Sequence, residues 1–366
     1  MNKYTKDELA VIVLDSYDGL EYKHKKAILG SYEKAGDIFD NPQKVISYLL
    51  QNVDERSANT LKNSLNYEYA DFILQKLEKR SVRAVTYLSE YYPKNLFDYP
   101  LNALVLYAKG NLELLKSNKK FAIVGSRKTL PFVLRTTEDI SNALSNSGAV
   151  IVTGSAVGGD RSALLGAVDS GNVISVLAHG SDYVYPQSNR TLVDKVANLG
   201  LVISEYPPET TSAPWRFPMR NRIISALANG VLITSGSEDS GTKYTAKFAE
   251  AYSKRVYAFP YSLGEKSGEI CNLLIKLGKA SLVTCAEDIA DGEGLELVSN
   301  DIEAQFEPEE VEVLKVLDGS LHIDEICERT GKKVFELMPV LSMLEIKGAV
   351  CREGGNRYSV LIKFKQ

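Results

Sequence analysis

Residues 149–160 read AVIVTGSAVGGD, an apolar run rich in β-branched residues that ends in a glycine-rich turn. Runs of the same kind recur along the chain as FAIVG (121–125), VISVLA (173–178), LVISEY (201–206), GVLITS (230–235), VYAFP (256–260) and SLVTC (281–285). The segments between them are too long for hairpins and fit crossover helices, which favours parallel pairing of strands buried on both faces. The sequence therefore predicts an α/β fold with an extended Rossmann-type, doubly wound parallel sheet over residues 119–290.

Two further domains are predicted on either side of this sheet. Apolar residues at helical spacing predict an N-terminal helical, SAM-like domain over 1–85, and residues 86–118 are expected to connect it to the sheet domain and pack on it. An acidic linker is expected over 291–308. Three helices and a hairpin then predict a winged-helix domain over 309–366, whose ten acids and nine bases favour protein contact or packing over DNA binding.

The composition excludes several classes of protein. The 366 residues have a net charge of −4, so a site for a polyanion must be a local patch. Four cysteines without a CxxC pair and only three histidines indicate no metal site, no disulfide framework and no catalytic residue, and no cofactor is expected. No apolar run is long enough for a bilayer span and the first residues lack a signal-like core, so we expect a cytoplasmic protein without membrane contact.

Two loops that follow predicted strands are candidate anion-binding sites, because ligands of open parallel sheets bind beyond the carboxyl ends of the strands. The first loop, GSRK (125–128), combines a glycine that lets the backbone approach a phosphate with a hydroxyl and a guanidinium that can donate to it. The second, within 153–160, is a glycine-rich turn into a helix. Tight βα turns also need glycine for steric reasons, so each loop alone is compatible with anion binding and with a purely structural role. The candidates are Gly125, Ser126, Arg127, Lys128, Gly154, Ser155 and Gly158.

A third cluster of basic residues, FPMRNR (217–222), precedes the predicted helix IISALANG (223–230). Cations at the start of a helix oppose its dipole unless an anion is bound there, although a solvated helix face is the alternative. The loop DSGTKYT (239–245) opens the next helix and is expected to place a lysine on the same rim. The candidates here are Phe217, Arg220, Asn221, Arg222, Ser240, Gly241 and Lys243.

Aromatic residues accompany these basic residues. Stacking on an aromatic ring contributes about 1–3 kcal/mol per base, so rings mixed with arginines suit single-stranded nucleic acid better than a duplex. Packing within the loops is an equally open interpretation. The aromatic residues in or beside the loops are Tyr183, Tyr185, Tyr206, Trp215, Phe217 and Tyr244.

These motifs, in this order and spacing, resemble those of the DNA-processing protein A family (DprA, also called Smf). The match consists of GSR (125–127), TGSAVGGD (153–160), SDYVYPQSNR (181–190), SEYPPET (204–210), FPMRNRII (217–224), SGTKYTA (240–246) and the helix NLLI (272–275), with similar segments at 91–115 and in the tail. The resemblance implies a protein that binds single-stranded DNA, forms a homodimer and loads the RecA recombinase during natural transformation. It also implies that Arg127, Arg220, Arg222 and Lys243 hold phosphates and that Phe217 or a nearby tyrosine supports a base.

The sequence departs from the family pattern at three motifs. Ala163-Leu164 stands where the family has Ala-His, and His179-Gly180 where it has Cys-Gly. Ser-Gly-Thr-Lys (240–243) replaces Ser-Gly-Ser-Leu, which adds a cation. The helix-hairpin-helix glycines of the N-terminal domain are also largely missing. These changes put the partner contacts and the role in competence in question.

Two other functions use the same fold. The loop SGT resembles that of lysine-decarboxylase-like nucleotide phosphoribohydrolases, but the glutamate they carry three residues after the threonine is Thr245 here, which leaves Glu205 and Asp160 as possible acid or base. A sensor for small nucleotides could use the same loops, and competition between oligonucleotides and mononucleotides would separate it from a DNA-binding protein.

Overall fold

The protein is described by a computed structural model that defines residues 4–97, 99, 103–298 and 306–361. Its contacts divide the chain into two compact units, Met1–Leu297 and Val298–Gln366. Among the helices of the described residues, none combines the length and apolarity that a bilayer span demands. Of the segment predicted as a connection (86–118), residues 98 and 100–102 lie outside the described residues, as do residues 299–305 of the predicted linker.

Six helices form the N-terminal part of the first unit, as predicted: α1 (Lys6–Ser16), α2 (Tyr22–Gly30), α3 (Asp37–Asp40), α4 (Gln43–Asn52), α5 (Glu55–Ser64) and α6 (Tyr67–Glu78). A capping box starts α1, because Thr5 Oγ1 accepts a hydrogen bond from Glu8 N and Thr5 N donates to Glu8 Oε2. Residues 9–15 of α1 are all buried, so this helix forms the centre of the helical core.

A nine-stranded sheet follows, formed by β1 (Arg83–Thr86), β2 (Val105–Gly110), β3 (Lys120–Val124), β4 (Val150–Thr153), β5 (Val173–Leu177), β6 (Leu201–Ser204), β7 (Gly230–Ile233), β8 (Arg255–Ala258) and β9 (Ser281–Leu282). The strand order is β1-β2-β6-β5-β4-β3-β7-β8-β9. All seven predicted runs form strands, β3 to β9, and these pair in parallel. The predicted α/β fold is confirmed.

The first two strands were not predicted. β2 pairs antiparallel with β1 on one side and with β6 on the other, so part of the segment predicted as a connection extends the sheet itself. Leu104, Val105 and Tyr107 on or beside β2 are buried in the core of the N-terminal helices. The N-terminal helices therefore share a core with the β1–β2 end of the sheet.

Helices cover both faces of the sheet: α7 (Lys94–Phe97), α8 (Pro131–Asn146), α9 (Gly159–Ala167), α10 (Arg190–Leu199), α11 (Arg216–Leu227), α12 (Thr242–Ala251), α13 (Glu269–Lys276) and α14 (Ala286–Glu293). Residues of β3 alternate between the two layers. Ala122 and Val124 lie in the core with α11, α12 and α13, whereas Phe121 and Ile123 lie in the core with α8, α9, α10 and α14. This alternation is the packing expected of a doubly wound sheet. α14 continues past residue 290, into the predicted linker.

The second unit has the predicted winged-helix order: α15 (Pro308–Val316), β10 (Ser320–His322), α16 (Ile323–Thr330), α17 (Val334–Ile346), β11 (Val350–Glu353) and β12 (Arg357–Val360). β10 adds a third strand to the predicted hairpin, in the order β10-β12-β11. Leu337, Leu341 and Leu344 of α17 are completely buried in its core. Gly355 and Asn356 have φ angles of 73° and 55°, which a tight hairpin turn requires.

Candidate functional site

An open cleft with a volume of about 820 Å³ lies beyond the carboxyl ends of β3, β7 and β8. Five segments line it: residues 124–130 at and after the end of β3, Ala156 and Asp160 after β4, the first turns of α11, residues 237–245 at the start of α12, and residues 265–267 after β8. The edge of a parallel sheet where ligands bind therefore carries several of the predicted loops. Of the fourteen candidate residues, nine line the cleft: Gly125, Ser126, Arg127, Lys128, Phe217, Arg220, Asn221, Ser240 and Gly241.

The candidate glycines of the first two loops serve loop packing. A Cβ on Gly125 would lie 2.2 Å from Thr234 Oγ1, and one on Gly158, which has a φ of 86°, would lie 2.1 Å from Ser126 O. Gly154 and Gly158 do not line the cleft, nor does Ser155, which is buried and accepts a hydrogen bond from Asn189 through its carbonyl. The steric interpretation of these glycines therefore accounts for their positions.

Arg127 lies at the mouth of the cleft beside a pair of aromatic rings that contact each other. Its guanidinium carbon is 5.2 Å from the centroid of Phe217 and 5.8 Å from that of Tyr185, and the two rings are 5.7 Å apart at an interplanar angle of 62°. Arg127 and Lys128 are exposed, and among the ion pairs of the described residues neither has a carboxylate partner. The rings hold the guanidinium by cation–π attraction while its N–H groups remain available to an anion.

Arg220 lies deeper, and its surroundings correct the prediction for this motif. α11 begins at Arg216, so Arg220 and Arg222 lie within the helix and the argument from the helix dipole does not apply to them. Arg220 lies 3.5 Å from Asp160, donates to the carbonyl of Val176, and donates through Nε to Asn221 Oδ1 at 3.0 Å. Burial lowers the pKa of Arg220, and burial raises the pKa of Asp160 against the attraction of the arginine. Arg220 therefore forms part of the cleft floor as half of an ion pair.

Arg222 is not part of the cleft. It is buried on another side of α11, where its Nη2 donates to Glu205 Oε2 at 2.5 Å. A carboxylate already balances this guanidinium, which is the reason that it does not serve as a cation of the rim.

Lys243 also lies outside the lining of the cleft. Its Nζ donates to the carbonyl of Glu238 at 2.8 Å and lies 5.6 Å from the ring of Tyr244. Ser240 caps the same loop, because its Oγ accepts from Thr242 N at 3.3 Å. The start of α12 thus contributes Ser240 and Gly241 to the cleft wall. Lys243, the cation absent from the family pattern, is bonded to the backbone of its own loop instead.

The loop after β8 was not predicted as part of the site. Lys266 is exposed and lines the cleft beside Glu265, whose Oε1 accepts hydrogen bonds from Ser267 N and Ser267 Oγ. The signal was available, since this loop follows the predicted strand VYAFP and must emerge at the same edge of the sheet. Lys266 joins Arg127 and Lys128 as exposed cations around the opening.

The residues considered for catalysis are engaged in ion pairs. Asp160 faces Arg220 and Glu205 faces Arg222, while Thr245, at the position of the phosphoribohydrolase glutamate, is completely buried. The part of the chain that the structure describes contains no group of three or more histidine, cysteine or acidic side chains arranged to hold a metal ion. The chemistry that this arrangement offers is the binding of anions and aromatic rings.

A family model described as DNA recombination-mediator protein A matches residues 83–293, which is more than half of the chain. The chain belongs to the DNA recombination-mediator protein A family. A second model of this family, the DprA winged helix domain, matches residues 300–356. The resemblance drawn from the sequence motifs is thereby confirmed.

Relatives within the DNA recombination-mediator protein A family include the DNA processing protein DprA of Bacillus subtilis (strain 168), which is 34% identical over 258 residues that cover 68% of this chain and 86% of the relative. The DprA of Streptococcus pneumoniae (strain R6) is 36% identical over 203 residues, 55% of this chain and 71% of the relative.

Two solved structures support the same assignment. The X-ray structure of DprA from Streptococcus pneumoniae matches with a TM-score of 0.63 and 28% identity, and the match covers 81% of this chain and all of that chain. A structure of DNA processing protein A from Helicobacter pylori matches with a TM-score of 0.54 and 28% identity, over 59% of this chain and 97% of that chain. The Helicobacter structure concerns the single-stranded DNA binding mode of that protein.

Proposed function

We propose that this protein is a DNA-binding member of its family that holds single-stranded DNA in the cleft at the carboxyl edge of the sheet. The observation that supports the proposal most is the placement of Arg127 against the paired rings of Phe217 and Tyr185. Single strands are bound by cations that contact the phosphates and by rings that stack on the bases, and a duplex hides its bases. The single-stranded DNA binding of the Helicobacter pylori relative supports the same function.

The cations of the rim set the expected mode of binding. Arg127, Lys128 and Lys266 surround the opening, so the affinity should depend steeply on salt and little on base sequence. Each lost phosphate contact lowers the magnitude of the slope of log affinity against log salt by about 0.7 for a single strand.

Fluorescence anisotropy with labelled single- and double-stranded oligonucleotides at two or more ionic strengths tests the proposal. We expect tighter binding of the single strand, and weaker binding with a shallower salt slope for Arg127→Ala. Arg56→Ala is the matched control, because Arg56 is an exposed arginine on α5. Equal affinity of wild type and Arg127→Ala for the single strand would contradict the proposed site.

A small nucleotide is the second candidate ligand, since the volume of about 820 Å³ lies in the range of small-molecule pockets. In the same assay, a nucleoside monophosphate that displaces the oligonucleotide at equal concentration would favour a nucleotide sensor. Release of free base from the monophosphate would instead favour a phosphoribohydrolase-like enzyme. We expect oligonucleotides to compete much better, because they contact several cations of the rim at once.

We further propose that the protein acts in the cytoplasm as a homodimer that protects incoming single-stranded DNA and loads the RecA recombinase in transformation or homologous recombination. Membership of the recombination-mediator family supports the role. Exposed leucines near one edge of the sheet are candidates for the dimer contact: Leu273 on α13, Leu277 directly after α13, and Leu282 on β9. Light scattering of Leu277→Glu tests the dimer, and RecA strand exchange with and without the protein tests the loading.

A further inference from the structure

Trp215 is the only tryptophan of the chain, and 59% of its surface is exposed. It lies at the N-terminal boundary of α11, two residues before Phe217. Trp215 does not line the cleft, but it directly precedes the turn of α11 that does, and its exposed ring makes it a candidate for contact with a ligand that extends out of the cleft.

The ring of Trp215 is held in place by a stack beneath it. The guanidinium carbon of Arg216 lies 5.1 Å from the ring of Trp215 and 4.4 Å from the ring of Tyr206, so the arginine contacts both aromatic rings. Nη1 of Arg216 donates to Thr211 O at 2.7 Å, and Nη2 donates to Asp18 Oδ2 at 2.7 Å. Arg216 is therefore fixed by four contacts and is itself buried.

These contacts assign Arg216 a positioning role rather than a phosphate-binding one. Its charge is balanced by Asp18 of the N-terminal helical region, and its side chain is only 9% exposed. Because Arg216 supports Trp215 from one direction, the exposed surface of the indole is presented to solvent in a defined orientation. A preorganised ring binds a base with little loss of side-chain entropy.

We infer that Trp215 is a second stacking platform, which takes a base of single-stranded DNA next to the nucleotide held at Arg127 and Phe217. The inference rests on the proposed function and extends it by one binding position. Trp215 and Phe217 are two residues apart at the start of a helix, so their side chains leave α11 in different directions. A strand that contacts both rings must cross the start of α11.

The test uses the emission of Trp215 in the full chain. An unmodified oligothymidylate is titrated into the wild-type protein with excitation selective for tryptophan, while anisotropy of a labelled copy reports binding in parallel. We expect the indole emission to be quenched along the same binding curve as the anisotropy, because the single tryptophan stacks on a base. An abasic strand of the same length should bind with much weaker quenching.

Variants give an independent measurement. Trp215→Ala should weaken single-strand affinity at least about fivefold, since one stacked base is lost, and should leave the salt slope unchanged, since no phosphate contact is lost. Trp215→Phe should recover most of the affinity. Phe72→Ala is the matched control, because Phe72 is an exposed ring on α6. Thermal unfolding of each variant establishes that it is folded.

Anisotropy that reports binding while the indole emission stays constant would overturn the inference and leave the proposed function intact. Affinity of Trp215→Ala within twofold of wild type would overturn it in the same way. Absence of binding by both signals would overturn the proposed function and the platform together, so the two failures are distinguishable.

Discussion

Neutralising Asp160 by the substitution Asp160→Asn should destabilise the protein strongly while leaving the rim of the cleft in place. The side chains of Asp160 and Arg220 are 7% and 5% exposed and lie 3.5 Å apart. At an effective dielectric constant of about 20, that separation corresponds to an attraction of about 5 kcal/mol. Arg220 keeps its bonds to Val176 O and Asn221, so its charge would remain buried without a partner. We expect a loss of about 3–5 kcal/mol in the free energy of unfolding.

A double-mutant cycle with Arg220→Met measures the pair directly by urea denaturation. Each single variant leaves one buried charge uncompensated, and the double variant leaves none. The double variant should therefore lose about 2 kcal/mol or more less unfolding free energy than the sum of the two single losses. A coupling below about 0.5 kcal/mol would refute the assignment of Arg220 to a structural ion pair. So would a folded Arg220→Met variant of wild-type stability with a shallower salt slope for DNA, since that result would identify Arg220 as a phosphate ligand.

Two further predictions concern Gly154, with Gly241 as its control, and His179. Gly154→Ala should lower the free energy of unfolding in urea by about 1–3 kcal/mol, because a Cβ at this position would lie 2.1 Å from Asp160 Oδ2. Gly241→Ala is the control, because a Cβ there would have no atom within 4 Å, and its unfolding free energy should stay within about 0.5 kcal/mol of wild type. Burial lowers the pKa of His179 below its ordinary value of 6.5. As the pH falls, the histidine of the unfolded chain is therefore protonated before that of the folded chain. The free energy of unfolding should then decrease as the pH drops below about 6.5. His179→Cys, which restores the family residue, should lack this slope; equal slopes in denaturant melts from pH 7.5 to 5.5 would contradict the argument.

Much of the fold could be predicted from the sequence because the buried parallel strands carry a strong local signal. Runs such as VISVL and GVLI are mostly apolar and rich in valine and isoleucine, and each forms a strand. β1 and β2 lacked such a signal. The run VLYAKG of β2 ends in a lysine and a glycine, and its place in the sheet depends on antiparallel pairing with β6, about a hundred residues further along the chain.

The sequence could predict which loops form the site, but it could not predict which carboxylates pair with the arginines. The rule that ligands bind at the carboxyl edge of the strands located the loop of Arg127 without any knowledge of contacts. The partners of Arg220 and Arg222 arise from tertiary packing, since Asp160 is sixty residues from Arg220 in the sequence. The helix predicted from residue 223 begins at Arg216, seven residues earlier, with Pro218 in its first turn, where proline is tolerated.

The antiparallel strand β2 has a mechanical consequence. Its backbone is bonded to β1 along one edge and to β6 along the other, and Tyr107 on this strand reaches Asp15 of α1 with its hydroxyl at 3.4 Å. Rotation of the amino-terminal helices relative to the sheet would break these backbone hydrogen bonds, so the helices and the sheet move together. The bond from Arg216 Nη2 to Asp18 Oδ2 is a second link between the two, because it joins the start of α11 to the segment after α1. A force applied to α11 would therefore be shared by the sheet and the amino-terminal helices.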